Sequence, residues 1–174
     1  MIDIYTDRFS ALVARATLGQ IEDASTWYND AENVAREVAE NLNVSVEAGA
    51  SVVSAFSPRE RWASNVSKAI AFSLGLEVRG LPNNIRMANE AITHGFDALR
   101  GPKTNAFARA IAGDEDAIVI DIWMMRAALV NSDSPNKTQY REMSEAVSVI
   151  ARKTGMTNRT IQALIWIVIR GSAI

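Results

Sequence analysis

Apolar residues recur at spacings of three and four along nearly the whole chain, a period that predicts helices almost throughout. Over residues 5–19 the stripe is Phe9, Leu12, Val13 and Ala16, with Gly19 as the expected stop. Asp23 or Ser25 is the expected cap of the next helix, whose stripe of Trp27, Ala31, Val34, Ala35 and Val38 ends at Asn41 to Asn43. Residues 46–56 read as a helix of small residues that stops before Ser57-Pro58. Pro58 is then expected at the first position of a helical segment reaching Leu74. Gly75, Gly80 and Pro82 mark a turn region.

The second part of the chain continues the pattern with clearer punctuation. Asn83 or Asn84 is expected to cap a helix running through Thr93, with Gly95 closing it. Residues 96–99 and 104–112 form the two legs of a hairpin, and Gly113-Asp114 halts the second. Asp114, Glu115 and Asp116 make a solvated loop. Ile118, Val119 and Ile120 are buried by composition and too few for an independent strand. Asp121 then opens a helix to Leu129. Residues 131–136 read as the longest loop. Two helices over 137–153 and 157–170 close the chain, the last capped by Asn158 or Thr157 and lined inside by Ile161, Leu164, Ile165 and Val168. The expected fold class is all-α, a bundle of about 8–10 helices forming a single domain over 1–174.

Composition narrows the class without choosing a function. At 174 residues, 48% hydrophobic and 22% charged, the chain can bury one core and is neither disordered nor fibrous. The absence of cysteine removes disulfides, thiolate metal sites and cysteine-held clusters. The start, Met1-Ile2-Asp3-Ile4, lacks a basic, then apolar, leader pattern, and no uncharged run is long enough to span a bilayer. A cytoplasmic protein without a membrane partner is expected, in the host cytoplasm if the chain is phage-encoded. One histidine, His94, makes no histidine-rich metal site, and Asp114-Glu115-Asp116 lacks the alternation of a calcium loop. Neither metal nor cofactor is expected. P-loop, dinucleotide glycine and serine-elbow motifs are absent.

Charge is uneven. The net charge is −2, which by itself argues against a phosphate-binding partner. Residues 1–74 hold 6 Lys/Arg against 10 Asp/Glu, while residues 75–174 hold 12 against 10. Arg79, Arg86, Arg100, Lys103 and Arg109 surround the hairpin, and Arg152, Lys153, Arg159 and Arg170 lie near the C-terminus. A basic face within an acidic protein and ordinary solvated helix faces both fit this distribution.

Candidate chemistry concentrates at Lys103 and Asp121, 18 residues apart. Leu99-Arg100-Gly101-Pro102-Lys103-Thr104 is followed by an alanine-rich helix and by Ile118-Val119-Ile120-Asp121-Ile122-Trp123-Met124-Met125-Arg126. This brings an amine and a carboxylate into one helical unit, where they could share a cleft. Lysine is electrostatically unfavourable at a helix start, so Lys103 asks for a reason. Asp121 has a plain structural role as an N-cap, compatible with a second role.

The ordered blocks resemble the helix-hairpin-helix DNA glycosylases of the endonuclease III type. Gly101-x-Lys103-Thr104, Asp121-x-x-x-x-Arg126 and Trp166-Ile167-Val168-Ile169-Arg170-Gly171 follow the order of that superfamily's hairpin, aspartate and tryptophan–glycine motifs. Ser54-Ala55 with Asn65-Val66-Ser67-Lys68-Ala69, and Gly80-Leu81-Pro82-Asn83-Asn84 with Ala88-Asn89-Glu90-Ala91-Ile92, are similar to its upstream blocks. The similarity covers residues 50–171. Leu99 stands where the hairpin's first glycine would be, Pro102 removes a backbone donor, Trp123 replaces a histidine, and the iron–sulfur cysteines are missing.

The resemblance implies a compact, cluster-free DNA glycosylase with an AP lyase step. Its cleft would lie between N- and C-terminal helical halves and take a flipped base. Lys103 and Asp121 would be catalytic. Arg100, Gly101, Thr104, Asn65 and Arg126 would contact DNA, and Trp123 would line the base pocket. Trp62 and Trp166 are expected in the core, Trp166 as packing on the last helix. Two other readings keep the scaffold: a phage-type enzyme that modifies thymine bases by displacing pyrophosphate, also similar in its Trp27-Tyr28 helix, and a non-catalytic DNA- or protein-binding module.

Overall fold

The computed structural model describes residues 1–171, and among them the chain is all-helical, without strands. In order the helices are α1 (Ile2–Val13), α2 (Leu18–Leu42), α3 (Val46–Phe56), α4 (Trp62–Ser73) and α5 (Pro82–His94). A 3-10 turn (Gly95–Ala98), α6 (Pro102–Ile111), α7 (Ile122–Ala127), α8 (Lys137–Thr154) and α9 (Asn158–Arg170) follow.

Three helix starts differ from the sequence reading, each for a local reason. Thr17 and Gln20 form a capping box. The Thr17 hydroxyl accepts the Gln20 N–H at 3.2 Å, and Gln20 Oε1 accepts the Thr17 N–H at 3.0 Å. Helix α2 therefore begins at Leu18, Gly19 falls within its first turn, and Asp23 and Ser25 lie inside it. Pro58 does not lead α4, because Arg59 takes φ 65 and breaks any helix there. Pro82 occupies the first turn of α5 behind an extended Leu81. Asn84 is buried instead of capping, with its Nδ2 3.4 Å from the Pro58 carbonyl.

The chain divides into two compact units that are not its N- and C-terminal halves. One is the contiguous stretch Asn29–Asp114; the other joins Met1–Tyr28 to the chain from Glu115 onward. Helix α2 passes from one to the other at Tyr28 and Asn29.

The contiguous unit is organised around α3, which packs against α4, α5 and α6. Every residue from Ala48 to Phe56 is buried. Ser45 caps the helix by accepting the Ala48 N–H. Small residues allow close backbone approach: a Cβ built on Gly49 would lie 2.3 Å from the Ala35 carbonyl oxygen and 2.9 Å from the Ala39 Cβ. Only glycine fits there.

In the discontinuous unit α1 packs on α8 and α9, and α7 on α9. Tyr5, Phe9, Ile120, Met124, Met125, Met143, Ile161 and Ile165 fill its core. Burying each such side chain stabilises the fold by roughly 1.5–3 kcal/mol. Ala117 to Ile120 are all buried without forming a strand, and they deliver Asp121 to the start of α7.

Candidate active site

Lys103 is the second residue of α6 and is exposed, as is Arg100. The turn before it runs from the 3-10 helix through Leu99, which is extended and buried, to Gly101 as N-cap. Gly101 has φ −86, so the turn uses no left-handed glycine. Side chains hold it instead. Asn105 Nδ2 donates to the Phe96 carbonyl at 3.0 Å and reaches the Leu99 carbonyl at 3.5 Å. Arg109 Nε donates to Asn105 Oδ1 at 3.0 Å, and its guanidinium lies 4.6 Å over the Phe96 ring.

Thr104 faces its own turn. Its hydroxyl donates to the Gly101 carbonyl at 3.1 Å, and its carbonyl accepts the buried Ser54 hydroxyl at 2.7 Å. Asn65 also belongs to this unit, in α4. Its side chain is buried, and Oδ1 has no hydrogen-bond partner among the described residues. Thus Lys103, Arg100, Gly101 and Thr104 cluster at one turn, whereas Asn65 is an interior residue.

Asp121 belongs to the other unit and is tied down by three hydrogen bonds. Oδ1 accepts the N–H groups of Trp123 at 2.9 Å and Met124 at 3.1 Å, capping α7. Oδ2 accepts the Trp166 indole N–H at 3.1 Å. Trp166 is half-buried and meets Trp27 with ring centroids 6.5 Å apart, so it is more than the packing residue expected. Arg170 lies 4.6 Å over Trp166, and Arg126 lies 4.4 Å over Trp123. Asp121, Trp123 and Arg126 are therefore neighbours on the short helix α7.

A buried polar pair adjoins them. The Tyr28 hydroxyl donates to Gln162 Oε1 at 2.7 Å, and both side chains are only 4% exposed. Trp27 meets Tyr28 edge-on at 4.8 Å, and the Arg159 guanidinium is 5.8 Å from the Tyr28 ring. Burial raises the Tyr28 phenol far above its ordinary value; the negative charge of Asp121 adds to this and Arg159 opposes it. The Tyr140 phenol is raised by burial and by the same carboxylate, and it donates to the Ile118 carbonyl at 2.7 Å. Both tyrosines therefore act as neutral hydrogen-bond donors at neutral pH.

Sequence reasoning missed Tyr28, Gln162, Arg159 and the polar half of Trp166. A signal existed: Arg159, Gln162, Trp166 and Arg170 follow one another at spacings of three, four and four on α9, interrupting its apolar face. His94 ends α5, where its ring suits the helix C-terminus. Among the described residues no three His, Cys, Asp or Glu side chains are grouped to hold a metal. No helix of the described residues is long and apolar enough to cross a membrane.

A family model described as a family of unknown function, DUF7178, matches residues 2–173, and the chain belongs to that family. No curated protein and no solved structure matches it.

Proposed function

We propose that the protein acts on bases in DNA as an N-glycosylase with an AP lyase step. The observation that carries this reading is the Asp121 carboxylate, fixed by three hydrogen bonds and set among half-buried indoles. A base taken out of the stack needs aromatic surface, and the sugar it leaves needs a nearby anion. Asp121 supplies the anion: Oδ2 accepts from the Trp166 indole alone and keeps a lone pair for positive charge developing at C1′. The glycosidic bond breaks with its electron pair leaving on the base.

Lys103 supplies the amine. As the free base it bonds to C1′, the ring oxygen departs as the alcohol, and loss of a proton from nitrogen gives the Schiff base. Loss of a C2′ proton then expels the 3′ phosphate. Its exposure at the start of α6 and the neighbouring exposed Arg100 support contact with a phosphate-bearing partner.

Borohydride trapping tests this directly. Duplexes containing an abasic site are incubated with wild type and Lys103→Ala. A covalent adduct in wild type and none in the variant is the expected result. Absence of an adduct on every substrate, with salt-dependent DNA binding retained, removes the lyase step and favours base modification or a binding module.

A further inference from the structure

Helix α9 presents Gln162 and Trp166 one turn apart on one face, and the two are held differently. Trp166 is anchored by Asp121, while Gln162 is anchored by Tyr28 through its oxygen. A neutral phenol that must donate its buried proton fixes the amide so that oxygen faces Tyr28 and nitrogen faces away. Burying an amide with a donor left over is costly unless something accepts from it. Trp27 and Trp166, both half-buried, supply aromatic surface beside it.

Resting on the proposed DNA-base activity, we infer that Gln162 reads the extruded base by donating from Nε2 to a ring carbonyl oxygen, with the base lying against Trp27 and Trp166. A donor at this position accepts an oxo group and meets an amino group donor to donor. The substrate class is therefore bases with an oxo group where adenine and cytosine carry an amino group: hypoxanthine or guanine among purines, uracil or thymine among pyrimidines. Tyr28 is a positioning residue, acting only through the orientation of Gln162. The sequence hides this arrangement because Tyr28 and Gln162 are 134 positions apart.

The test compares duplexes identical except for one unpaired uracil, cytosine, hypoxanthine or adenine, titrated into the full chain and followed by tryptophan fluorescence. Wild type is expected to bind uracil over cytosine, and hypoxanthine over adenine, by about tenfold or more. In Tyr28→Phe, and in Gln162→Leu checked for helicity by circular dichroism, the preference is expected to collapse while the salt dependence of binding stays unchanged. Equal wild-type affinity for all four duplexes, with salt-sensitive binding intact, overturns the role of Gln162 and leaves the DNA reading standing. Absence of salt-sensitive binding to any duplex overturns both.

Discussion

The two units solve the problem of placing a reactive side chain in opposite ways. In the contiguous unit the backbone is fixed and Lys103 is free of it: α3 is a rod of buried small residues, the turn is braced by Asn105 and Arg109, and the amine projects into solvent. In the discontinuous unit large side chains make the core, and Asp121 is itself a structural joint between α7 and α9. The lesson is that a candidate catalytic residue need not be separable from the fold. Substituting Lys103 tests chemistry alone, whereas substituting Asp121 tests chemistry and architecture together.

The largest effect on stability is expected where the contiguous unit packs most closely. Gly49→Val places atoms inside contact distance of the α2 backbone and should cost about 3 kcal/mol or more, read as a fall in the urea midpoint. Next comes the direct contrast between the two candidate residues. Asp121→Ala removes a cap and leaves the Trp166 indole unpaired, costing about 2 kcal/mol. Lys103→Ala should leave the midpoint unchanged within about 0.5 kcal/mol. Equal losses in the two variants would erase the distinction drawn between the units.

Much of this contrast was legible beforehand. Period and punctuation place α3 at the observed residues, Asp121 as a cap, Gly95 as a helix stop and Thr157 as the last cap, because each depends on neighbours in sequence. The misses came from competing local signals. Thr17 with Gln20 outranked Asp23 and Ser25, and the left-handed Arg59 disqualified Pro58. The candidate site was half legible. Lys103 and Asp121 stood out through their motifs, but Tyr28 and Gln162 meet only through the fold. Trp166 looked like one more apolar residue until its indole N–H found a carboxylate.

A smaller, pH-dependent effect distinguishes the discontinuous unit. The folded Tyr28 phenol has a raised pKa, so the folded state holds a proton that the unfolded state loses above pH about 10. Stability should therefore fall as pH rises beyond about 10, by up to about 1.4 kcal/mol per pH unit for this one proton. Tyr28→Phe should lessen that fall, measured as the urea midpoint against pH. The smallest effect belongs to the exposed pair Arg86 and Glu90 on α5: Arg86→Ala should cost only about 0.3–0.5 kcal/mol, and less in high salt.

Base release under single-turnover conditions tests the central claim most directly. Duplexes carrying uracil or hypoxanthine are mixed with excess wild type or Asp121→Asn, and free base is quantified by mass spectrometry. The account predicts release by wild type and a loss of at least about a hundredfold in the variant, with the helical spectrum retained. Release at equal rates from both proteins, or no release from any duplex that wild type binds, would contradict it.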